Sequence, residues 1–187
     1  MLTKRFDDAL VYASQIHRDQ VRKGTSVPYI SHLIGTAAIA LENGADEDQA
    51  IAALLHDAVE DQGGATRLAE IRLRFGDRVA EIVDHCTDTD IEPKPPWRER
   101  KEAYIVSLAH KPATSLAVSL ADKTHNAGAI VADLAIHGDE LWERFTGGRE
   151  GSLWYYRALV TAFRARRGDA ATERFAALVN EMDRITS

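Results

Sequence analysis

The sequence predicts an all-α protein, and three observations support this. Apolar residues recur at helical spacing almost throughout the 187 residues, as expected of amphipathic helices. Segments rich in Ala, Leu, Glu and Arg are separated by short loops that carry Gly, Pro or Asp. The alternating pattern of β-strands is nearly absent. With 45% hydrophobic and 28% charged residues, the chain has the composition of a globular protein with a buried core.

The predicted helices span residues 4–19, 28–43, 47–61, 66–75, 77–87, 97–109, 112–136, 139–145, 150–166 and 170–185. Local signals justify several of their ends. Pro28 can open the second helix and Gly44 can end it, Asp46 can cap the third, and Gly63-Gly64 can stop it. Residues 21–27 and 87–96 interrupt the helical pattern, so both are predicted to be loops and candidate ligand lids. The length fits one domain over residues 1–187, with residues 138–187 as its C-terminal helices.

Charge and composition exclude several classes of function. A net charge of −6 argues against a general nucleic-acid or anionic-membrane binder, because such proteins use a basic face. No apolar run approaches the roughly 20 residues that a membrane span needs. The single Cys86 cannot form an internal disulfide, and residues 1–8 lack an apolar leader, so we expect a cytoplasmic protein.

The third predicted helix places ionisable groups within an apolar segment. His56, Asp57, Glu60 and Asp61 fall within residues 51–61, and burying such groups without partners is costly. The pairs 56/60 and 57/61 are spaced i,i+4 on one helical face. A divalent cation bound by imidazole and carboxylate would satisfy them, and further ligands must then come from other helices. His32 and Asp122 are the candidates. The alternative is a set of surface charges around one satisfied core histidine.

His32, His56-Asp57 and Asp122, in this order, resemble the metal-binding pattern of the HD-superfamily phosphohydrolases. More narrowly, the chain resembles the hydrolase domain of RelA/SpoT enzymes and the stand-alone small alarmone hydrolases, including the metazoan SpoT homologues. The resemblance covers about residues 5–135. The matching segments are Arg22-Lys23-Gly24, Pro28-Tyr29-Ile30-Ser31-His32, Ala52 to Asp61, Phe75-Gly76-Asp77-Arg78-Val79, and Leu120-Ala121-Asp122-Lys123-Thr124-His125-Asn126.

The resemblance implies an HD-type helical bundle and a metal-dependent hydrolase. Its metal ligands would be His32, His56, Asp57 and Asp122, holding Mn²⁺ or another divalent cation. It further implies that Glu60 and Asp61 are the catalytic carboxylates. In this family a metal-activated water hydrolyses the 3′-pyrophosphate of (p)ppGpp to GDP or GTP and pyrophosphate.

A nucleotide substrate also requires local cations in an acidic chain. Arg22 and Lys23 resemble the family's pair in the first loop, where an arginine packs against a base and a lysine faces phosphate. The further candidate substrate contacts are Arg98, Lys101, Lys123 and Asn126. For Arg98 and Lys101 the alternative is a solvated helix face.

Other functions stay open beside the leading one. The same site would also suit adenine alarmones of the (pp)pApp type, the 2′-phosphate of NADPH or another nucleotide, because the motifs specify metal and phosphate rather than the base. An inert alarmone-binding module is the alternative outside catalysis. Aromatic residues between 142 and 163 are predicted to be core, and a homodimer interface is the second interpretation of that region.

Overall fold

The computed structural model describes residues 1–88 and 93–187. An all-α fold is confirmed, since the β-type pairing in the described residues is one isolated bridge between Val21 and Pro28. The helices are α1 (Lys4–Ile16), α2 (Ile30–Glu42), α3 (Glu47–Leu55), α4 (Ala58–Gln62), α5 (Gly64–Phe75), α6 (Asp77–Cys86), α7 (Trp97–Ser107), α8 (Ala113–His137), α9 (Gly148–Arg166) and α10 (Ala170–Ile185), with a 3₁₀ helix at Gly138–Arg144. Among the described helices, none is long and apolar enough to cross a membrane.

The chain divides into two compact units. The first contains Met1–Lys94 and Lys111–Asp122, and the second contains Pro95–His110 and Lys123–Ser187. The single domain expected over residues 1–187 stays a prediction. Residues 21–27 form the first predicted loop, while residues 89–92 of the second lie outside the described part of the chain.

Helix α3 is the centre of the first unit. Every residue from Ile51 to Leu55 is at most 1% exposed, so this helix is enclosed on all sides rather than amphipathic. Buried residues of α1, α2, α5 and α6 pack around it, together with Val118 and Ala121 of α8. Because α3 is fixed by packing along its length, the residues that follow it are held in a defined position.

Hydrogen bonds and ion pairs hold the start of α3. Asp46 accepts a hydrogen bond from the backbone of Gln49, whose side chain accepts one from the Asp46 backbone, and this reciprocal pair confirms the predicted cap. Arg78 contacts Asp46 at 2.6 Å and Asp48 at 3.0 Å. Arg5 donates to the Phe75 carbonyl oxygen at 2.8 Å, which joins α1 to the end of α5.

The prediction of one continuous helix over residues 47–61 is wrong. Helix α3 ends at Leu55, α4 begins at Ala58, and His56 and Asp57 form a turn between them. Both turn residues keep right-handed helical dihedrals, with φ −60° for His56 and −96° for Asp57, so no glycine or proline marks the break. Gly63, with φ 128°, ends α4 as predicted.

Two other predicted helices differ from the structure. The first helix ends at Ile16 rather than residue 19. The segment predicted at 139–145 is a 3₁₀ helix.

The second unit has an aromatic core. Trp142, Tyr155, Tyr156 and Phe163 are all at most 8% exposed, which confirms the prediction of core positions for them. Phe175 packs edge-on against Phe163, with ring centroids 5.7 Å apart.

Trp97 of α7 packs against glycines of α9 and the residue before it. A Cβ atom at Gly147 would lie 2.6 Å from the Trp97 ring, and one at Gly151 would lie 3.1 Å away. These glycines therefore allow α7 and α9 to approach closely.

Candidate metal centre and adjoining carboxylates

The structure brings the four predicted metal ligands together in the first unit. His32 is the third residue of α2, His56 and Asp57 form the turn after α3, and Asp122 lies in α8. The two imidazoles are 1% and 2% exposed and Asp122 is 6% exposed. A histidine cluster of this kind is buried only where its nitrogen atoms have partners.

The donor atoms of this cluster lie at distances that suit a shared cation. The Nε2 atoms of His32 and His56 are 3.2 Å apart. Asp57 Oδ2 lies 3.0 Å from His56 Nε2 and 3.5 Å from His32 Nε2, and Asp122 Oδ1 lies 3.3 Å from His32 Nε2. Atoms that each lie about 2.1 Å from one ion are about 3.0–3.4 Å apart in octahedral or tetrahedral coordination. His32, His56 and Asp57 therefore form a candidate metal site, and Asp122 borders it.

The tautomer of His56 suits metal binding. Its Nδ1 lies 2.9 Å from the Ala53 carbonyl oxygen, which can only accept a hydrogen bond, so the proton is on Nδ1. When the imidazole is neutral, Nε2 has a lone pair that faces the cluster. Metal-bound histidines are commonly oriented by this kind of second contact.

Charge coupling within the cluster is strong. Burial opposes charging of His56, but Asp57 and Asp122 raise its pKa well above the usual value for histidine. Burial likewise opposes ionisation of Asp57, yet the imidazoles of His56 and His32 hold the pKa of that carboxyl well below its usual range. In the absence of a metal, the cluster therefore holds a proton among its imidazoles and carboxylates. A cation would replace that proton.

Tyr29 supports the cluster from the end of the first loop. Its hydroxyl donates to Asp57 Oδ2 at 2.6 Å, and its ring contacts the His32 ring edge-on with centroids 5.6 Å apart. Burial raises the pKa of Tyr29, and the nearby Asp57 carboxylate raises it further. Tyr29 is therefore a protonated donor to one of the candidate metal ligands.

Glu60 and Asp61 follow on α4, one turn beyond the cluster. Lys94 donates to Glu60 Oε1 at 3.0 Å, so the charge of Glu60 is partly balanced. Gln20 donates to Asp61 Oδ2 at 2.8 Å. Partial desolvation raises the pKa of Asp61, and the Asp57 carboxylate raises it further.

The predicted substrate contacts fall in both units. Arg22 of the first loop lies over the Tyr29 ring, 5.8 Å from its centroid, and Lys23 beside it is exposed. In the second unit, Arg98 stacks on Trp154 at 3.2 Å and donates to Glu102 at 2.7 Å. This stack and ion pair are the contacts expected if Arg98 stabilises its own unit.

The other second-unit candidates are Lys101, Lys123 and Asn126. Lys101 lies 5.2 Å from the Tyr155 ring centroid, and Lys123 lies 4.7 Å from that of Tyr104. Asn126 is half-buried in α8. For these three residues and for Arg98, a role in substrate binding stays a prediction.

Sequence reasoning missed three neighbours of the site. His17 was not singled out in the sequence, yet it is 2% exposed and stacks on Tyr29 with centroids 5.4 Å apart. Gln20 was not singled out, because an amide side chain carries no distinctive pattern. Lys94 had a usable signal, since it is a cation in an acidic, proline-rich segment that was expected to be a lid.

Comparison with known proteins places the chain in a family. The HD domain family matches residues 9–153, which is most of the chain. The chain therefore belongs to the HD domain family. The candidate metal site lies within the matched range.

Similar proteins include two animal hydrolases. The chain is 39% identical over 122 residues to the guanosine-3′,5′-bis(diphosphate) 3′-pyrophosphohydrolase MESH1 of Xenopus tropicalis, covering 64% of this chain and 65% of that protein. It is 32% identical over 141 residues to MESH1 of Drosophila melanogaster, covering 74% of each chain.

A solved structure is also similar along nearly the whole chain. It is that of a metazoan ortholog of SpoT that hydrolyses ppGpp, with a TM-score of 0.76 and 26% identity, covering 98% of this chain and 96% of the other. The similarity confirms the predicted resemblance to SpoT-type hydrolases and the HD-type all-α fold.

Proposed function

We propose that the chain is a metal-dependent hydrolase that removes the 3′-pyrophosphate of (p)ppGpp, giving GDP or GTP and pyrophosphate. One observation carries the proposal: the buried cluster of two imidazoles and two carboxylates is followed, one turn later on α4, by Glu60 and Asp61. The relatives named as ppGpp 3′-pyrophosphohydrolases support the choice of substrate.

The proposed metal is Mn²⁺, held by His32, His56, Asp57 and Asp122. Neutral imidazole nitrogen and carboxylate oxygen are suitable ligands for it. A metal of this kind acts as a Lewis acid and supplies an activated water near neutral pH. The contacts of Tyr29 with Asp57 and of the Ala53 carbonyl with His56 support this assignment, because both orient ligand atoms toward the cluster.

Glu60 and Asp61 are the proposed catalytic carboxylates. They orient the attacking water and accept its proton as its oxygen bonds to the phosphorus atom on ribose O3′. The bond between that phosphorus and O3′ then breaks, pyrophosphate leaves, and O3′ takes up a proton. A raised pKa makes Asp61 a stronger base than an ordinary aspartate. Lys94, next to Glu60, contributes positive charge beside the phosphates.

The proposed nucleotide contacts begin in the first loop. Arg22 and Lys23 bind base and phosphate, and the placement of Arg22 over Tyr29 supports this because Tyr29 also contacts Asp57. The further proposed contacts, which rest on the family resemblance alone, are Arg98, Lys101, Lys123 and Asn126.

Product analysis tests the proposed function. Protein loaded with Mn²⁺ is incubated with ppGpp, pppGpp, ppApp, pppApp and NADPH in parallel, with and without a chelator, and the products are separated by chromatography. We expect pyrophosphate and GDP or GTP from the guanosine compounds, lost on chelation. Cleavage of the adenosine compounds or NADPH alone would overturn the base assignment, and cleavage of none would favour a binding module.

Three further proposals concern the whole chain. We infer that it works in the cytoplasm and that residues 138–187 belong to one domain with the rest, and we keep a homodimer as the second interpretation of the aromatic residues between 142 and 163. Fluorescence microscopy of the tagged chain tests the first, and calorimetry tests the second through a single unfolding transition. Light scattering after gel filtration tests the third.

A further inference from the structure

The side-chain amide of Gln20 is the centre of a small network beside the candidate site. Its Nε2 donates to Asp61 Oδ2 at 2.8 Å. Its Oε1 accepts from Gln62 Nε2 at 2.7 Å and lies 2.6 Å from His17 Nδ1. Two elements, the turn after α1 and helix α4, therefore meet at one half-buried amide.

The directions of these hydrogen bonds are fixed by chemistry. An ionised carboxylate can only accept, so the atom of Gln20 that faces Asp61 must be the NH₂ group. The remaining atom is then an oxygen, which requires a donor from Gln62 and a proton on His17 Nδ1. Reversing the Gln20 amide would place its oxygen against the Asp61 carboxylate, which offers no proton. One orientation satisfies all the partners.

The network is anchored at its inner end. His17 is buried, and its other ring nitrogen, Nε2, has no hydrogen-bond partner among the described residues, so Gln20 provides the polar contact that orients the ring. Tyr29 stacks on the His17 ring, and its hydroxyl donates to Asp57. Contacts with His17 and Gln62 therefore hold the Gln20 amide in the orientation that donates to Asp61.

We propose that Gln20 is a positioning residue that sets the orientation of the Asp61 carboxylate for hydrolysis; this rests on the proposed function. Asp61 is exposed on α4, and an exposed aspartate samples several rotamers. The hydrogen bond to Oδ2 selects one of them. Gln20 itself acts through Asp61, and its proposed role requires no contact with substrate.

Two substitutions separate positioning from packing. Gln20→Glu keeps the size of the side chain and the oxygen that faces Gln62 and His17, but replaces the donor to Asp61 with a second carboxylate oxygen. Gln20→Leu removes all three polar contacts. For both variants we expect kcat for ppGpp to fall about 10–100-fold, with KM within about 2-fold of wild type. The Mn²⁺ content of Gln20→Glu should match wild type.

A double-mutant cycle tests whether the effect acts through Asp61. In an Asp61→Asn background, Gln20→Leu should lower kcat by less than about 2-fold, since the carboxylate it positions is already absent. Gln15→Glu, an exposed position on α1 with the same change of charge, is the matched control and should leave kcat unchanged.

The possible outcomes are distinct. If wild-type protein hydrolyses ppGpp and both Gln20 variants keep wild-type kcat, the positioning role is overturned and the proposed function stands. An equal fold-loss with and without the Asp61 carboxylate would also overturn it. A wild-type protein that cleaves none of the guanosine compounds, adenosine compounds or NADPH would overturn both proposals.

Discussion

Metal binding should stabilise this protein more strongly as the pH rises from about 6 to about 8. Asp57 and Asp122 raise the pKa of His56 in the metal-free chain, and a metal ligand must be neutral at the binding nitrogen. Mn²⁺ therefore displaces a proton when it binds, and its affinity increases about tenfold per pH unit below the folded pKa of His56. Across two pH units the gain is at most about 100-fold, or about 2.7 kcal/mol.

The stability of the metal-free protein should fall as the pH rises from about 6 to about 8. A histidine with a raised pKa contributes stability that is fully present below its unfolded value of about 6.5 and is lost as pH rises through the folded pKa. Asp57 has a lowered pKa, so its contribution is present above about pH 3.9 and is constant between pH 6 and 8. Titration of His56 thus lowers metal-free stability across this range, whereas the neutral, metal-bound imidazole does not titrate.

Differential scanning fluorimetry with saturating Mn²⁺ or with chelator measures both effects. For a chain of this length about 1 kcal/mol corresponds to about 2–4 °C, so the shift caused by metal should be larger near pH 8 than near pH 6, by at most about 5–10 °C. His56→Ala should abolish the shift, and His110→Ala, an exposed histidine in the second unit, should leave it intact. A shift of equal size at both pH values would refute the argument that a proton on His56 competes with the metal.

Three other substitutions test separate parts of the structure. Glu60→Gln should leave Mn²⁺ content unchanged, as measured by elemental analysis, and lower kcat roughly 100-fold or more because a proton acceptor is lost; unimpaired turnover would remove Glu60 from the mechanism. Arg22→Ala should raise KM for ppGpp about tenfold, through loss of an arginine that lies over Tyr29 and is the proposed contact to the nucleotide, and an unchanged KM would mean that the loop does not contact substrate. Gly147→Ala places a methyl group 2.6 Å from the Trp97 ring and should destabilise the protein by about 1–3 kcal/mol in urea unfolding; wild-type stability would show that the ring moves away freely.

The helices were largely predictable because their signals are local. Apolar spacing and caps such as Asp46 act within a few residues, and the structure confirms them. The break at His56 and Asp57 was not predictable, because both residues keep helical dihedrals and no local breaker is present. At this break His56 contacts the carbonyl oxygen of Ala53, three residues earlier, and the His32 ring of α2.

The candidate metal site was predicted in advance because its residues are chemically conspicuous. Ionisable groups in an apolar segment require partners, which pointed to His32 and Asp122 on other helices. The residues that support the site were harder to find. Gln20 and His17 are common residue types, and their importance comes from contacts made between elements far apart in the sequence.

The loop between Gln20 and Tyr29 has a consequence for how new specificities can arise. Its two ends are joined by a hydrogen bond of 2.9 Å from Tyr29 N to Gln20 O, and a second, of 2.8 Å, joins Arg22 N to Val27 O. Gln20 and Tyr29, at the two ends of the loop, donate to the carboxylates of Asp61 and Asp57. Residues 23–26 lie beyond the two hydrogen bonds that close the loop. Mutations in residues 23–26 can therefore accumulate with little effect on the carboxylates, so the proposed phosphate contact at Lys23 can change while the hydrolytic groups are conserved.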